Sequence, residues 1–285
     1  MKKILVIYKV SSYKQYLAKL KKLDSSSLQN KELIRRFKHT HMEHYHTLEY
    51  ARELFKKLDV QPTIVKREQI KDFMGYDLVI TIGGDGTFLY AAKGLRKQKI
   101  LGVNSDPKWS VGRFCFANRD NLEGVINNYL KKKNKTKTVN RLTFALNGKE
   151  TDVQVVNDVL ICHKNPAAMS RYYITLNKRT EEQRSSGLWV ATAAGSTGAI
   201  HSAGGTVLPI ASKQYQYMTR ELYPAFGIKH KLKGGLISPR YTISIASLME
   251  NGVIYVDGSH QKTSFRFGDK IQIKPSAVPL RIIVG

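Results

Sequence analysis

The chain has 285 residues, 42% of them hydrophobic, and no uninterrupted apolar stretch near the roughly 20 residues a membrane helix needs, so no membrane span or membrane partner is expected. Two cysteines, Cys115 and Cys162, are too few for a disulfide framework or a four-thiolate zinc site and fit a reducing cytoplasm. The formal net charge of +25 raises polyanions as partners, yet the one dense basic run, residues 131–137, lacks the interleaved aromatics of a single-strand binding platform. It reads as a solvated linker, and no nucleic-acid partner is expected.

Residues 4–8 form the first predicted strand. Lys2 and Lys3 precede an apolar run of about five residues without a cleavage site, which reads as a first strand, so neither a signal peptide nor a transit segment is expected here. From Tyr45 the apolar positions Tyr45, Leu48, Ala51, Phe55 and Leu58 recur at spacings of three and four, with Pro62 just beyond, which predicts an amphipathic helix. His39, His41, His44 and His46 crowd its start. Their order lacks the Glu directly after a first histidine that a His-Glu-x-x-His zinc motif requires, so they are expected to be solvated or to cap the helix. Residues 63–65, 78–82 and 100–103 supply further strands, with a helix at 87–97. The alternation predicts a doubly wound, Rossmann-like parallel sheet.

The strand at 78–82 runs directly into Gly83-Gly84-Asp85-Gly86-Thr87. Glycines remove the Cβ atoms that would keep phosphate oxygens off the backbone, and amides in such a turn form an anion-binding concavity. Asp85 then stands where a bare phosphate cradle would avoid negative charge. It reads as a ligand, direct or through water, for magnesium, or as a base for an attacking hydroxyl. The loop Gly102-Val103-Asn104-Ser105-Asp106-Pro107 ends the next strand and, by the rule that ligands sit beyond carboxyl ends of strands, is expected to share the crevice.

Past the lysine run the pattern turns to short strands near residues 241–246, 253–256, 264–267 and 271–274, punctuated by Asp257-Gly258 and Gly268-Asp269. The expected organisation is an N-terminal α/β domain over 1–135, a β-rich domain over 136–275 and a return strand within 276–285. Two segments of the second half carry chemistry. Asn157-Asp158 is a polar pair inside an apolar run, able to meet an adenine edge and ribose hydroxyls, or else to form a turn between strands. Residues 185–198, followed by Ser202, are dominated by glycine and small hydroxylated residues that permit close approach of a ligand.

Taken together, the Gly-Gly-Asp-Gly turn, the Asn-acid pair, the Gly195-Ser196-Thr197-Gly198 loop and the late Asp257-Gly258 resemble the NAD kinase family over roughly residues 75–260. Asn104-Ser105-Asp106-Pro107 and Ser185-Ser186-Gly187-Leu188 look closest to its divergent branch, which includes organellar enzymes. Three positions depart from the family pattern: Asp158 replaces a usual Glu, Ser186 a usual Asp, and Ala199 the tyrosine that helps enclose the dinucleotide.

The resemblance implies a NAD kinase-like fold and ATP-dependent phosphorylation of the 2′-hydroxyl of the adenosine ribose of NAD, giving NADP. It implies Asp85 as base and Gly83, Gly84, Gly86 and Thr87 around the ATP phosphates. Asn104, Asn157, Asp158, Ser196, Thr197, Gly198, Ser202 and Asp257 would bind NAD, with Mg2+ held through phosphates or by Asp85. It further implies a cytoplasmic homodimer or homotetramer. Lipid kinases of the diacylglycerol or sphingosine type and phosphofructokinase-like kinases resemble only the first motif. A non-catalytic dinucleotide-binding regulator is the alternative outside the enzymes.

Overall fold

The computed structural model describes residues 2–24, 27–224 and 229–285, and the chain divides into two compact units, residues 1–137 with 281–285, and residues 138–280. In the first unit the chain order is β1 (Ile4–Tyr8), α1 (Ser12–Leu20), α2 (Leu28–Lys57), β2 (Thr63–Lys66), β3 (Leu78–Gly83), α3 (Asp85–Ala92), β4 (Lys99–Asn104), α4 (Leu122–Leu130) and β5 (Lys135–Val139). The C-terminal strand Leu280–Val284 joins the same sheet, whose order is β2-β1-β3-β4, then the C-terminal strand, then β5. Pairing from β2 through the C-terminal strand is parallel.

β3 is buried at every position, as a central parallel strand covered on both faces must be. Ile4, Val6, Leu78, Ile80, Ile82, Leu101 and Val103 share one apolar cluster with Leu48, Ala51, Leu54 and Phe55 of α2 and Leu122, Val125, Ile126 and Tyr129 of α4. The helix read from Tyr45 in fact begins at Leu28. Its first half is mostly polar and exposed, so it shows no strong apolar stripe, and it is paired with α1, which the sequence reading did not find. The lysine run is also not all linker: β5 takes Lys135 and Lys137 to the edge of the sheet, where exposed lysines discourage pairing with another chain.

The order β2-β1-β3-β4 places the topological switch between β1 and β3. In open parallel sheets the ligand crevice opens there, beyond the carboxyl ends of the strands.

The second unit holds β6 (Leu142–Leu146), β7 (Lys149–Glu150), β8 (Asp158–His163), β9 (Ser170–Leu176), β10 (Arg179–Ser185), β11 (Gly187–Ala191), α5 (Ala199–Ser202), β12 (Tyr215–Arg220), β13 (Gly234–Ile237), β14 (Ile243–Ser247), β15 (Gly252–Val256), β16 (Gln261–Phe265) and β17 (Lys270–Pro275). Two antiparallel sheets, β10-β9-β14-β17-β6-β7 and β13-β12-β11-β8-β15-β16, enclose one apolar core. Ile174, Ile245 and Ile271 reach it from the first sheet, and Ile161, Val190 and Ile254 from the second. Alternating burial along β14 and β17 shows the period of two that puts one face of each strand inward. Among the described residues no helix is long and apolar enough to cross a membrane.

Candidate active site

At the switch point of the first unit lies a cavity of about 440 Å³, walled by Lys9, Ser11 and Ser12 beyond β1, by Gly83 and Gly84 beyond β3, and by Ser105, Asp106 and Ser110 beyond β4. Arg36 of α2 enters the same wall with its guanidinium 4.7 Å from the centre of the Trp109 ring, a cation–π contact. Burial, then the Arg67 guanidinium, hold the Lys9 ammonium below its usual pKa range, with Asp106 acting in the opposite direction.

The Gly-Gly-Asp-Gly turn is the N-terminus of α3. The amides of Thr87 and Phe88 are taken by the Gly84 carbonyl at 3.0 and 3.2 Å, while those of Asp85 and Gly86, at the start of the helix, have no acceptor within it, the arrangement by which helix N-termini accept anions. The three glycines serve different ends. At Gly83 a Cβ would lie 2.5 Å from the Thr87 hydroxyl, and at Gly84 2.5 Å from the Ser110 hydroxyl, so these two allow close packing of the turn. At Gly86 nothing lies within 4 Å, so its bare Cα faces open space. Thr87, expected at the phosphates, is 1% exposed, and its hydroxyl is wedged beneath Gly83 without a hydrogen-bond partner.

Asp85 is half-buried and fixed in orientation. Its two carboxylate oxygens accept the amides of Arg113 at 3.0 Å and Phe114 at 2.8 Å. Phe114 stacks on Phe88 with ring centres 5.2 Å apart and planes 6° from parallel, which locks the 111–114 loop onto α3. Asn104 is 7% exposed and works inside the protein: its Oδ1 accepts the Asp106 amide and its Nδ2 donates to the Ser110 carbonyl, shaping the 105–110 loop.

His44, expected with its neighbouring histidines to be solvated or to cap the helix, is instead buried in the middle of α2, which starts at Leu28. It is fully buried, with Nδ1 3.0 Å from the Ser105 hydroxyl and Nε2 2.8 Å from the Lys9 carbonyl, so it joins α2 to two walls of the cavity. Burial pushes its imidazole down to about 4, and the neutral ring donates from Nε2 to the carbonyl while Nδ1 accepts from the hydroxyl. The signal was its spacing: 44, 48, 51 and 55 lie on one helical face. Among the described residues no group of three or more His, Cys, Asp or Glu side chains is arranged to hold a metal.

In the second unit Asn157 and Asp158 sit at the head of β8. Asp257 in the left-handed region, φ 48°, turns its carboxylate onto them: Oδ2 accepts the Val156 amide at 3.0 Å, and Oδ1 accepts those of Asn157 and Asp158 at 2.7 and 3.1 Å. Asn157 in turn donates from Nδ2 to Asp158 Oδ2 at 2.9 Å. Thr192 fastens the next segment to the pair, donating its hydroxyl to the Val156 carbonyl at 2.6 Å and its amide to the Asn157 carbonyl at 3.0 Å. A Cβ at Gly195 would fall 2.0 Å from the Asn157 carbonyl oxygen, so only glycine fits there.

The structure thus brings Asn157, Asp158, Gly198 and Asp257 into one cluster, with a Cβ on Gly198 falling 3.3 Å from Asn157 Nδ2 and 3.7 Å from Asp158 Oδ2. Thr197 beside it is half-exposed and Ser202 is exposed on α5. Ser196, by contrast, is fully buried, and its hydroxyl accepts the Leu208 amide at 2.9 Å.

The sequence profile of the ATP-NAD kinase N-terminal domain matches residues 14–132. The chain is 33% identical over 264 residues to a protein of Oryza sativa subsp. japonica described as a probable NADH kinase, covering 85% of this chain and 81% of that one. It is 30% identical over 286 residues to an NADH kinase of Arabidopsis thaliana, covering 92% and 90%. Two solved structures share the fold: an NAD kinase from Archaeoglobus fulgidus in complex with ATP, at TM-score 0.69 and 21% identity, covering 98% of this chain and 92% of that chain, and a yeast NADH kinase complexed with NADH, at 0.72 and 14%, covering 99% and 84%.

Proposed function

The chain belongs to the NAD kinase family and is a kinase, and from that premise we propose that it transfers the γ-phosphoryl group of ATP to the 2′-hydroxyl of the adenosine ribose of NAD, giving NADP. The observation that carries this reading is the Asp85 carboxylate, fixed by two main-chain amides at the N-terminus of α3 and next in sequence to Gly84 of the cavity wall. Each of its oxygens accepts one amide and keeps a further lone pair, so it can accept a hydroxyl proton without reorienting. The 2′-oxygen forms the new bond to the γ-phosphorus as the bond to the β,γ-bridging oxygen breaks. ADP leaves, and the proton passes to Asp85.

Phosphoryl transfer depends mainly on positioning and charge neutralisation. In this reading the amides of Asp85 and Gly86, which have no acceptor within α3, and the cations of Lys9 and Arg36 hold the donor phosphates. Asn157 and Asp158 meet adenine and ribose, with Thr197, Gly198 and Ser202 beside them. Asn104, Ser196, Thr87 and Asp257 contribute by shaping the segments that carry those groups, as their internal contacts require.

Magnesium fits the chemistry of the cavity, which offers a carboxylate and the hydroxyls of Ser11, Ser12 and Ser110 as hard oxygen donors. When bound it would neutralise donor phosphate oxygens. NADH as acceptor is a second reading, favoured by the names of the rice and Arabidopsis relatives. The residues assigned here address the adenosine half, which the two redox forms share. A cytoplasmic homodimer or homotetramer completes the proposal, and light scattering reads the assembly. The direct test is incubation with magnesium, NAD and ATP labelled in its γ-phosphoryl group. Label in a 2′-phosphate of the dinucleotide is expected, and label only in free phosphate contradicts the reading.

A further inference from the structure

Two carboxylates stand near the carboxyl ends of β3 and β4, and the fold treats them differently. Both oxygens of Asp85 are occupied by amides. Asp106 is 4% exposed, lines the cavity, and has no hydrogen-bond partner at either carboxylate oxygen. Burying a carboxylate without hydrogen bonds is unfavourable, and the Lys9 ammonium answers its charge but makes no hydrogen bond to it, so its retention needs a reason.

Turn chemistry does not supply one. An Asp at the head of a turn ordinarily accepts an amide two residues on with its side chain. Here the amides of Trp109 and Ser110 go to the Asp106 main-chain carbonyl at 3.2 and 3.0 Å. The backbone around Asp106 is firmly held. Its amide donates to Asn104 Oδ1, the Ser105 amide donates to the Gly83 carbonyl at 3.1 Å, and the Ser105 hydroxyl meets buried His44. Lys9 lines the same cavity but forms no hydrogen bond to this carboxylate.

A fixed, buried carboxylate with no hydrogen-bond partner, near the Lys9 ammonium and beside the glycine turn, is complementary to a hard cation that arrives with phosphates. Magnesium takes only one or two protein carboxylates and completes its shell with phosphate oxygens and water, so no cluster of three acidic or histidine ligands is required. Resting on the kinase reading above, we propose that Asp106 is the protein ligand of the divalent cation that accompanies the phosphoryl donor. Asp85 is left to the acceptor hydroxyl.

The test compares the full chain with Asp106→Asn, an isosteric change that removes the charge. Mn2+ is titrated in the presence of β,γ-methylene-ATP and read by its electron paramagnetic resonance, and melting is followed in EDTA without nucleotide. The variant is expected to bind Mn2+ about tenfold or more weakly. It should bind the analogue in EDTA as the parent does, and melt at a higher temperature than the parent. Unchanged Mn2+ binding overturns the proposal, and so does a variant that melts lower or fails to fold, since either would give the carboxylate a structural role. NADP formation by the parent with metal binding insensitive to Asp106 removes the metal assignment alone. Loss of Mn2+ in the variant from a parent that makes no NADP removes the kinase reading alone.

Discussion

The Asp85 carboxylate accepts the main-chain amide of Phe114 at 2.8 Å, across 29 residues of sequence. Main chain orients the proposed base, and the Phe88–Phe114 stack keeps that main chain in place. The group that would take the proton therefore has a fixed direction that does not depend on a second polar side chain.

The glycines of the two motifs separate packing from ligand access. Gly86→Ala adds a Cβ into open space in the first turn of α3, so stability should be unchanged or gain up to about 1 kcal/mol. The kcat/KM for NADP formation should fall about tenfold to a hundredfold as the methyl displaces donor phosphates. Gly195→Ala, with its Cβ 2.0 Å from the Asn157 carbonyl, should cost about 3 kcal/mol or more in urea unfolding. Equal stability of the two variants would contradict the assignment.

Asp257→Asn tests the clamp on Asn157 and Asp158. Asn tolerates the left-handed backbone at this position but offers one accepting oxygen to three amides. Loss of these charge-assisted bonds should destabilise the protein by about 2 kcal/mol or more. The KM for NAD should rise, with the KM for ATP close to that of the parent. An unchanged KM for NAD would show that the clamp does not serve dinucleotide binding.

His44 sets an acid limit on stability. Its folded pKa, about 4, lies below the ordinary 6.5, so the unfolded chain binds more protons in between. The contribution is complete above about pH 6.5 and is lost as pH falls toward 4, amounting to about 3 kcal/mol at most. Urea midpoints at pH 7, 5 and 4 should therefore fall less steeply in His44→Gln than in the parent. Parallel profiles would show that His44 is not the titrating group.

How much of this was legible in sequence follows from the range of the interactions. β3 and its glycine turn are local: a β-branched run followed by Gly83-Gly84 identifies a buried strand ending in a strand-to-helix turn without reference to the rest of the chain. The face of α2 from Leu48 to Phe55 is equally local, whereas the stretch from Leu28 is mostly polar and exposed and carries no comparable stripe. α4 does carry a readable stripe in Leu122, Val125, Ile126 and Tyr129, but its nine residues border the lysine run and blend into it. The roles of Asp257 and His44 depend on partners 100 and 61 residues away, and no periodicity records those. Ser196 and Thr87 share the composition of ligand-binding loops, and only packing shows their hydroxyls turned inward.

The central claim is a dinucleotide kinase with Asp85 as its base, and the most direct measurement compares NADP(H) formation by the parent and by Asp85→Asn. Both are supplied with ATP, magnesium and either NAD or NADH, and product is read with an NADP-specific dehydrogenase. The parent should form product, and the variant should form it about a hundredfold or more slowly, with an unchanged melting temperature and unchanged NAD binding. No product from the parent with either acceptor, or a variant rate near the parent's, would contradict the account.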